Sequence, residues 1–150
     1  MYLSDLSIRH FRNLGVQRLG LPPGGAAIVG ENAQGKTNLL EAVYYLETFR
    51  SFRGSRDSRL VAFDEDFFRV VGVLRSQDEE EEVEVAAAFQ TPGRRKKVTV
   101  DGEEPDRLGK ALGWVAAVVF SPADVGLVSE GPGGRRRFLD ILLSLNVPGY

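Results

Sequence analysis

A short glycine-containing segment, Gly30–Thr37, places the strongest constraint on what this chain can fold into. It fits the pattern G-x-x-x-x-G-K-[S/T], in which a loop between a strand and a helix wraps the phosphates of a nucleotide. The apolar run Ala26–Val29 before it predicts a short buried strand, and the sequence after it predicts a helix that begins near Lys36. The expected apolar face of that helix comprises Leu39, Leu40, Val43 and Leu46. Pattern and flanks together predict a P-loop that binds a nucleoside triphosphate.

The residue types in this loop suit the chemistry of phosphate binding. Gly30 and Gly35 permit backbone conformations that a Cβ would hinder, so that successive N–H groups point at an anion. Lys36 offers a positive charge to the β- and γ-phosphates, and the Thr37 hydroxyl is a ligand of the kind that Mg²⁺ accepts. The predicted phosphate site comprises Gly30, Glu31, Asn32, Ala33, Gln34, Gly35, Lys36 and Thr37.

Composition narrows the class of protein. With 150 residues and 43% hydrophobic content, the chain is long enough for one ordinary globular domain with its own core. No apolar run approaches the ~20 residues that cross a membrane. The absence of cysteine excludes a disulfide framework and a thiolate metal site. These features favour a cytoplasmic protein without a membrane partner, and the net charge of −2 argues neither for nor against nucleic acid.

The remaining pattern predicts an α/β protein with a β meander. Alternating residues and turn signals predict strands at Tyr2–His10, Val16–Leu21, Phe67–Leu74, Glu82–Phe89, Lys96–Val100 and Val115–Phe120. A final amphipathic helix is predicted over Arg135–Leu145. One strand–helix unit followed by an antiparallel meander, at about 67–100, is closer to the first lobe of an ABC-type ATPase head than to a nucleotide kinase, in which strands and helices alternate throughout.

Several ordered segments carry a resemblance to a known family. Besides the P-loop, which continues as Asn38-Leu39-Leu40-Glu41-Ala42, they are Phe11-Arg12-Asn13, Ser51-Phe52-Arg53, Phe120-Ser121-Pro122-Ala123-Asp124 and Pro132–Asp140. In this order, across essentially all 150 residues, they make the chain resemble the N-terminal part of the RecF family, ATPases of DNA recombination related to SMC proteins.

The resemblance implies more than phosphate binding. It implies an ABC/SMC-like head that binds ATP and Mg²⁺ and closes with a second copy as an ATP-dependent homodimer. It further implies binding to DNA at single-strand/double-strand gap junctions, help in loading RecA, and RecO and RecR as partners. Arg12 and Asn13 would lie near the adenine or ribose, Asn38 would join the nucleotide site, and Phe120–Asp124 would take the position of the Q-loop, although it contains no glutamine.

The second half of such a head is expected to be absent from this chain. Neither the signature motif nor the Walker B carboxylates of the family are recognisable, so no catalytic residue is assigned, and hydrolysis is expected to be weak even in a complete protein. Leu60–Glu65 imitates Walker B, with four apolar residues before Asp64 and Glu65. Because it lies in an Arg-rich connection, a solvated acidic turn is the favoured interpretation over a metal-binding site.

Three groups of basic residues are candidates for contact with DNA or with a second head. The hairpin cluster is Arg94, Arg95, Lys96 and Lys97, for which neutralisation by the acidic run Asp78–Glu82 is the alternative. Arg135 and Arg136, with Arg137, open the last helix, where cations are electrostatically disfavoured. Arg53 and Arg56 lie between Arg50 and Arg59 at a spacing of three residues.

A second class of function remains open at this point. A small P-loop kinase could use the same loop to transfer phosphate to a metabolite. It would need an acceptor pocket and an arginine-bearing lid, and the meander and the ordered family segments argue against it.

Overall fold

An antiparallel sheet forms the main body of the chain in the computed structural model, which describes residues 1–76, 81–129 and 131–147. Within these residues the sheet has five strands: β1 Tyr2–Phe11, β2 Leu14–Gly20, β3 Phe67–Arg75, β4 Glu82–Gln90 and β5 Arg95–Val100. Their spatial order is β2-β1-β3-β4-β5. Helix α1, Lys36–Thr48, follows the P-loop, and short 3₁₀ turns lie at Asp57–Arg59, Pro92–Arg94 and Leu108–Ala111.

The pairing of the strands combines one local and one distant connection. The predicted meander is confirmed, since β3, β4 and β5 pair in sequence order. The β1–β2 hairpin turns at Arg12 and Asn13 and joins the meander through β1 and β3, with Leu6 opposite Gly72. This pairing joins residues more than sixty positions apart, and local sequence patterns do not encode it.

The core lies between one face of the sheet and α1. Alternate strand residues such as Ile8, Phe68, Val70 and Val85 are fully buried, as a half-covered antiparallel sheet requires. Gly72 of β3 allows α1 to pack directly against the sheet, because a Cβ there would lie 2.7 Å from a methyl group of Leu46.

The buried face of α1 differs from the predicted one. Leu46 is buried as expected, but Leu40 is 46% exposed. The buried apolar positions of α1 are Ala42, Tyr45 and Leu46, which recur at helical spacing, and Phe49, directly after the helix, is buried with them. The prediction was wrong for Leu40 because it followed aliphatic residues only, whereas two aromatic side chains fill the core.

Two predicted strands are not strands in this structure. Val29 is 88% and Ile28 44% exposed, and the segment Ala26–Val29 belongs to no sheet. The run Val115–Phe120 likewise pairs with none of the described strands, and its burial alternates, with Val115 at 3% and Phe120 at 89% exposure. An apolar run predicts a strand locally, but a strand also needs a hydrogen-bonded neighbour.

The chain divides into two units, Met1–Ala117 and Val118–Tyr150. In the second unit, a 3₁₀ turn at Pro122–Val125 leads into α2, Gly126–Ser129, and α3 spans Pro132–Asn146. Helix α3 begins three residues earlier than predicted, because proline is well suited to the first helical position. Within the described residues, no helix has the length and apolar character needed to cross a membrane.

Candidate nucleotide-binding site

The P-loop ends in a backbone conformation that only glycine adopts easily. Gly35 has φ +96° and directly precedes α1. A Cβ at this position would lie 2.7 Å from the Asn13 side-chain oxygen and 2.8 Å from a methyl group of Leu14. Among the described residues no side chain caps α1, so the N–H groups of its first turn remain available to an anion. The helix start predicted near Lys36 is confirmed.

The Lys36 side chain folds back over the loop that precedes it. Its Nζ donates hydrogen bonds to the carbonyl oxygens of Gly30 at 2.7 Å and Glu31 at 2.6 Å. The positive charge therefore lies beside the first two residues of the loop. Residues 30–34 and Thr37 are exposed, so the loop is open to solvent.

Asn13 connects two parts of the site. Its Nδ2 donates to the carbonyl oxygen of Ala33 at 3.2 Å, and its Oδ1 accepts from Nδ2 of Asn38 at 2.7 Å. Ala33 has φ +65°, an uncommon conformation for alanine. The hydrogen bond from Asn13 therefore holds a bent part of the loop against the β1–β2 turn.

Arg12 lies behind the loop and pairs with a buried carboxylate. Its guanidinium makes two hydrogen bonds of 3.0 Å to the two oxygens of Glu41, which is 0% exposed. The Ser51 hydroxyl donates to the same carboxylate, and Arg53 approaches it at 3.7 Å. Arg53 also donates to Oδ1 of Asn38 at 3.1 Å. The segments Phe11-Arg12-Asn13 and Ser51-Phe52-Arg53 thus meet at α1.

Glu41 is the site-supporting residue that sequence reasoning did not single out. It appeared only as part of a helical segment, where a glutamate is expected to face solvent. A glutamate buried completely needs paired charges and donors around it, which Arg12 and Ser51 supply. Neither partner is close to Glu41 in sequence, so no local spacing could have indicated the cluster.

Lys96, predicted to contact DNA or a second head, is held within the fold. Its Nζ lies 2.8 Å from Oδ2 of Asp57, donates to the Phe49 carbonyl oxygen at 2.7 Å, and lies 5.3 Å from the centre of the Tyr45 ring. The Tyr45 hydroxyl donates to Asp57 at 2.9 Å. Burial, assisted by the Asp57 charge, raises the pKa of Tyr45 above its ordinary range. Lys96 thereby fastens β5 to the end of α1.

The neighbours of Lys96 point away from the core. Arg94, Arg95 and Lys97 are exposed, and Lys97 lies 3.9 Å from Glu104. Of the acidic run that might neutralise this cluster, residues 78–80 lie outside the described residues, and Glu82 pairs with Arg75 at 3.3 Å. Among the described residues, the carboxylates nearest to the cluster are therefore Asp57 and Glu104 rather than the acidic run.

The remaining candidate cations are Arg56 in the first unit and the adjacent pair Arg135 and Arg136 in the second. Arg56 is exposed just before the 3₁₀ turn Asp57–Arg59, so the arginines spaced by three residues do not share a helix face. Arg135 and Arg136 are exposed on α3 in the second unit, and Arg135 donates to the Leu127 carbonyl oxygen at 3.2 Å.

The imitation of Walker B is a solvated turn, as predicted. Asp64 has φ +62° in an exposed turn, and Glu65 lies 3.1 Å from the ring of His10. Val61 forms one isolated bridge with Phe11 and continues into no strand.

Comparison with known proteins identifies relatives over the whole chain. It is 43% identical over 150 residues to the DNA replication and repair protein RecF of Caldanaerobacter subterraneus and 38% identical to that of Halalkalibacterium halodurans. A third RecF, from Beutenbergia cavernae, is 43% identical over 145 residues. The match covers 41%, 39% and 35% of these relatives, so the chain spans about two fifths of their length. No protein-family model matches the chain.

Solved structures give the same result. The recombination mediator protein RecF of the RecFOR pathway, solved with ATP, superposes with a TM-score of 0.88 at 42% identity, covering 96% of this chain and 39% of that one. The head domain of SMC from Thermotoga maritima superposes with a TM-score of 0.54 at 22% identity, over 73% of this chain and 40% of its own, and supports the fold alone. The predicted α/β fold of a P-loop ATPase head is confirmed. The chain is homologous over its full length to the N-terminal part of the RecF family.

Proposed function

We propose that this chain is the ATP-binding lobe of a RecF-like DNA replication and repair protein. The observation that carries the proposal is the loop from Gly30 to Thr37. Gly35 in a left-handed conformation, the Lys36 ammonium beside the loop and the uncapped start of α1 together form a site for phosphate. The 42% identity to a RecF solved with ATP supports ATP as the nucleotide.

The residues present fit a nucleotide triphosphate with its metal ion. The N–H groups of the loop and of the first helical turn would hold the β- and γ-phosphates, and Lys36 would exchange its two carbonyl partners for phosphate oxygens. Thr37, exposed at the helix start, offers the hydroxyl for Mg²⁺, which would neutralise part of the phosphate charge. Asn13 and Asn38 would keep the loop in this shape.

The wider role follows from the relatives. We propose that the whole protein binds DNA at gap junctions, dimerises around ATP, and acts with RecO and RecR in loading RecA. Support comes from the RecF name of the relatives and the RecFOR pathway of the matched structures. The antiparallel sheet gives no support to the alternative of a metabolite kinase.

Coupling between ATP and DNA tests this role. Binding of a fluorescent gapped duplex should tighten when Mg²⁺-ATP is added, because a ligand that favours one state of the protein raises affinity for another ligand of that state. The Lys36→Met variant should bind gapped duplex with the same affinity with and without Mg²⁺-ATP, whereas Lys110→Met, at an exposed lysine paired with Asp106, should retain the coupling. Equal DNA affinity with and without Mg²⁺-ATP in the unsubstituted chain would contradict the proposed coupling.

A further inference from the structure

The face of the sheet opposite α1 carries a row of cations at one end. The pairing register places Arg9 of β1 directly opposite Arg69 of β3, Arg69 opposite Ala88 of β4, and Ala88 opposite Lys97 of β5. Arg18 of β2 lies opposite Ser7, one step along the same face. We call this surface, formed by Arg9, Arg18, Arg69 and Lys97, the outer basic face.

These arginines are not neutralised within the fold. Among the described residues, no carboxylate lies within 4.0 Å of Arg9, Arg18 or Arg69, and only Lys97 has an acidic neighbour, Glu104 at 3.9 Å. Like charges directly opposite each other in a sheet destabilise it. The arrangement therefore lowers the stability of the free protein, and a bound polyanion would offset that cost.

The opposite end of the same face provides an internal contrast. There Arg75 lies 3.8 Å from Asp5 and 3.3 Å from Glu82. Asp5 and Glu84 lie two pairing steps beyond Arg9 and Arg69, roughly 13 Å away at the rise of a strand. For Arg9 and Arg69 that exceeds a Debye length of about 8 Å at physiological salt, whereas Asp5 lies opposite Gly20, only two residues or roughly 7 Å along β2 from Arg18.

The shape of the face fits a phosphate backbone. Arg9 and Arg69 are direct neighbours, Ala88 lies between Arg69 and Lys97, and the next row along the face holds the short side chains Ser7, Val71 and Ala86, so the long cationic side chains extend beyond their neighbours. The distance from Arg9 to Lys97 is three strand spacings, about 14 Å, close to the width of the major groove of B-DNA. The two rows of Arg9 and Ser7 contain no aromatic ring on which unpaired bases could stack.

We propose that the outer basic face binds the phosphate backbone of duplex DNA without regard to sequence. This rests on the proposed function, because it assigns the DNA contact of that function to one surface. The surface differs from the candidates expected from sequence, apart from Lys97. Acidic proteins offer similar charge without the regular spacing of phosphates, and duplex DNA is the better match to cations held at fixed strand positions.

The test compares two double variants of equal charge. Arg9→Gln with Arg69→Gln removes the centre of the face, and Arg75→Gln with Lys110→Gln removes two cations that are paired with carboxylates elsewhere. Binding of a fluorescein-labelled duplex is measured by anisotropy across a salt series in Mg²⁺-ATP. The first variant should lose roughly tenfold or more in affinity and about 2 units of the log–log salt slope, since each phosphate contact contributes about 0.9.

Stability separates a lost contact from a lost fold. The first variant should be at least as stable in urea as the unsubstituted chain, because it relieves the repulsion between Arg9 and Arg69. Equal losses of affinity in both double variants would overturn the assignment of this face and leave the DNA function standing. Absence of duplex binding by the unsubstituted chain would also overturn the assignment of this face, and it would leave DNA binding by the whole protein standing. Displacement of the duplex by poly-L-glutamate as effectively as by unlabelled duplex would overturn DNA as the partner.

Discussion

Asn13 holds the P-loop in place, because its amide group hydrogen-bonds both to Ala33 of the loop and to Asn38 of α1. Replacement by alanine removes both hydrogen bonds and leaves the P-loop residues themselves unchanged. Each such bond is worth about 1 kcal/mol, so ATP should bind roughly tenfold more weakly to Asn13→Ala. Equilibrium titration with a fluorescent ATP analogue measures the effect.

The exposed amide Gln17 on β2 provides the control for this prediction, because it lies on the same hairpin outside the loop. Gln17→Ala should leave ATP affinity unchanged. The same ATP affinity in Asn13→Ala and Gln17→Ala would show that the loop keeps its shape without the two hydrogen bonds of Asn13.

Glu47 makes the stability of the fold depend on pH. It is 7% exposed, and its Oε2 has no hydrogen-bond partner among the described residues. Burial raises the pKa of Glu47 above its ordinary value, partly countered by a hydrogen bond from the Ala117 backbone. The folded chain therefore holds this proton more tightly than the unfolded chain does. The stabilisation is complete below the unfolded pKa of 4.5 and is lost as the pH rises through the folded pKa.

Glu47→Gln should remove this loss, because the amide stays neutral and can still accept from the backbone. The free energy of unfolding of the variant should exceed that of the unsubstituted chain at neutral pH, and the difference should shrink as the pH falls toward 4.5. Urea denaturation across the acidic range measures both curves. Parallel curves would show that the carboxylate is not penalised by burial.

At the scale of elements, α1 fits the sheet because β3 has no side chain at Gly72. A Cβ there would approach methyl groups of Leu46 at 2.7 Å and Leu3 at 2.9 Å. Gly72→Ala should lower the free energy of unfolding by about 1–2 kcal/mol, the usual cost of an overpacked core in which side chains can shift. Gly15→Ala is the matched control, because no atom lies within 4 Å of a Cβ at that position on β2. Equal stability of the two variants in urea would mean that the packing of α1 on β3 accommodates a methyl group at position 72 without strain.

The elements also show where sequence reasoning works. The strands of the meander and the start of α1 were predictable, because alternation and the glycine–lysine pattern are local signals. Leu40 was misplaced because the helix buries Ala42 and Tyr45 instead. The pairing of β1 with β3 and the cluster of Arg12 with Glu41 join distant residues, and no spacing in the sequence encodes them.

At the scale of the whole molecule, pairing between distant residues also decides whether an apolar run becomes a strand. This is why the strand predictions for Ala26–Val29 and Val115–Phe120 were wrong. Both are apolar enough to predict strands, yet neither pairs with the described sheet. Similarly, the cations of Arg9 and Arg69 are unremarkable in sequence and become a candidate surface only when the register sets them side by side. The helix start after the glycine–lysine pattern was predictable from local sequence, whereas the surfaces that would connect the predicted phosphate-binding loop to partners were not.

The proposed function depends on ATP binding by the P-loop, which titration with a fluorescent ATP analogue in Mg²⁺ measures. The unsubstituted chain and Lys110→Met should bind with the same affinity, and Lys36→Met should bind roughly tenfold to a hundredfold more weakly, since a charged hydrogen bond is worth about 1.5–3 kcal/mol. Circular dichroism should show all three folded. Folded protein that binds no nucleotide, or equal binding by Lys36→Met, would contradict the account.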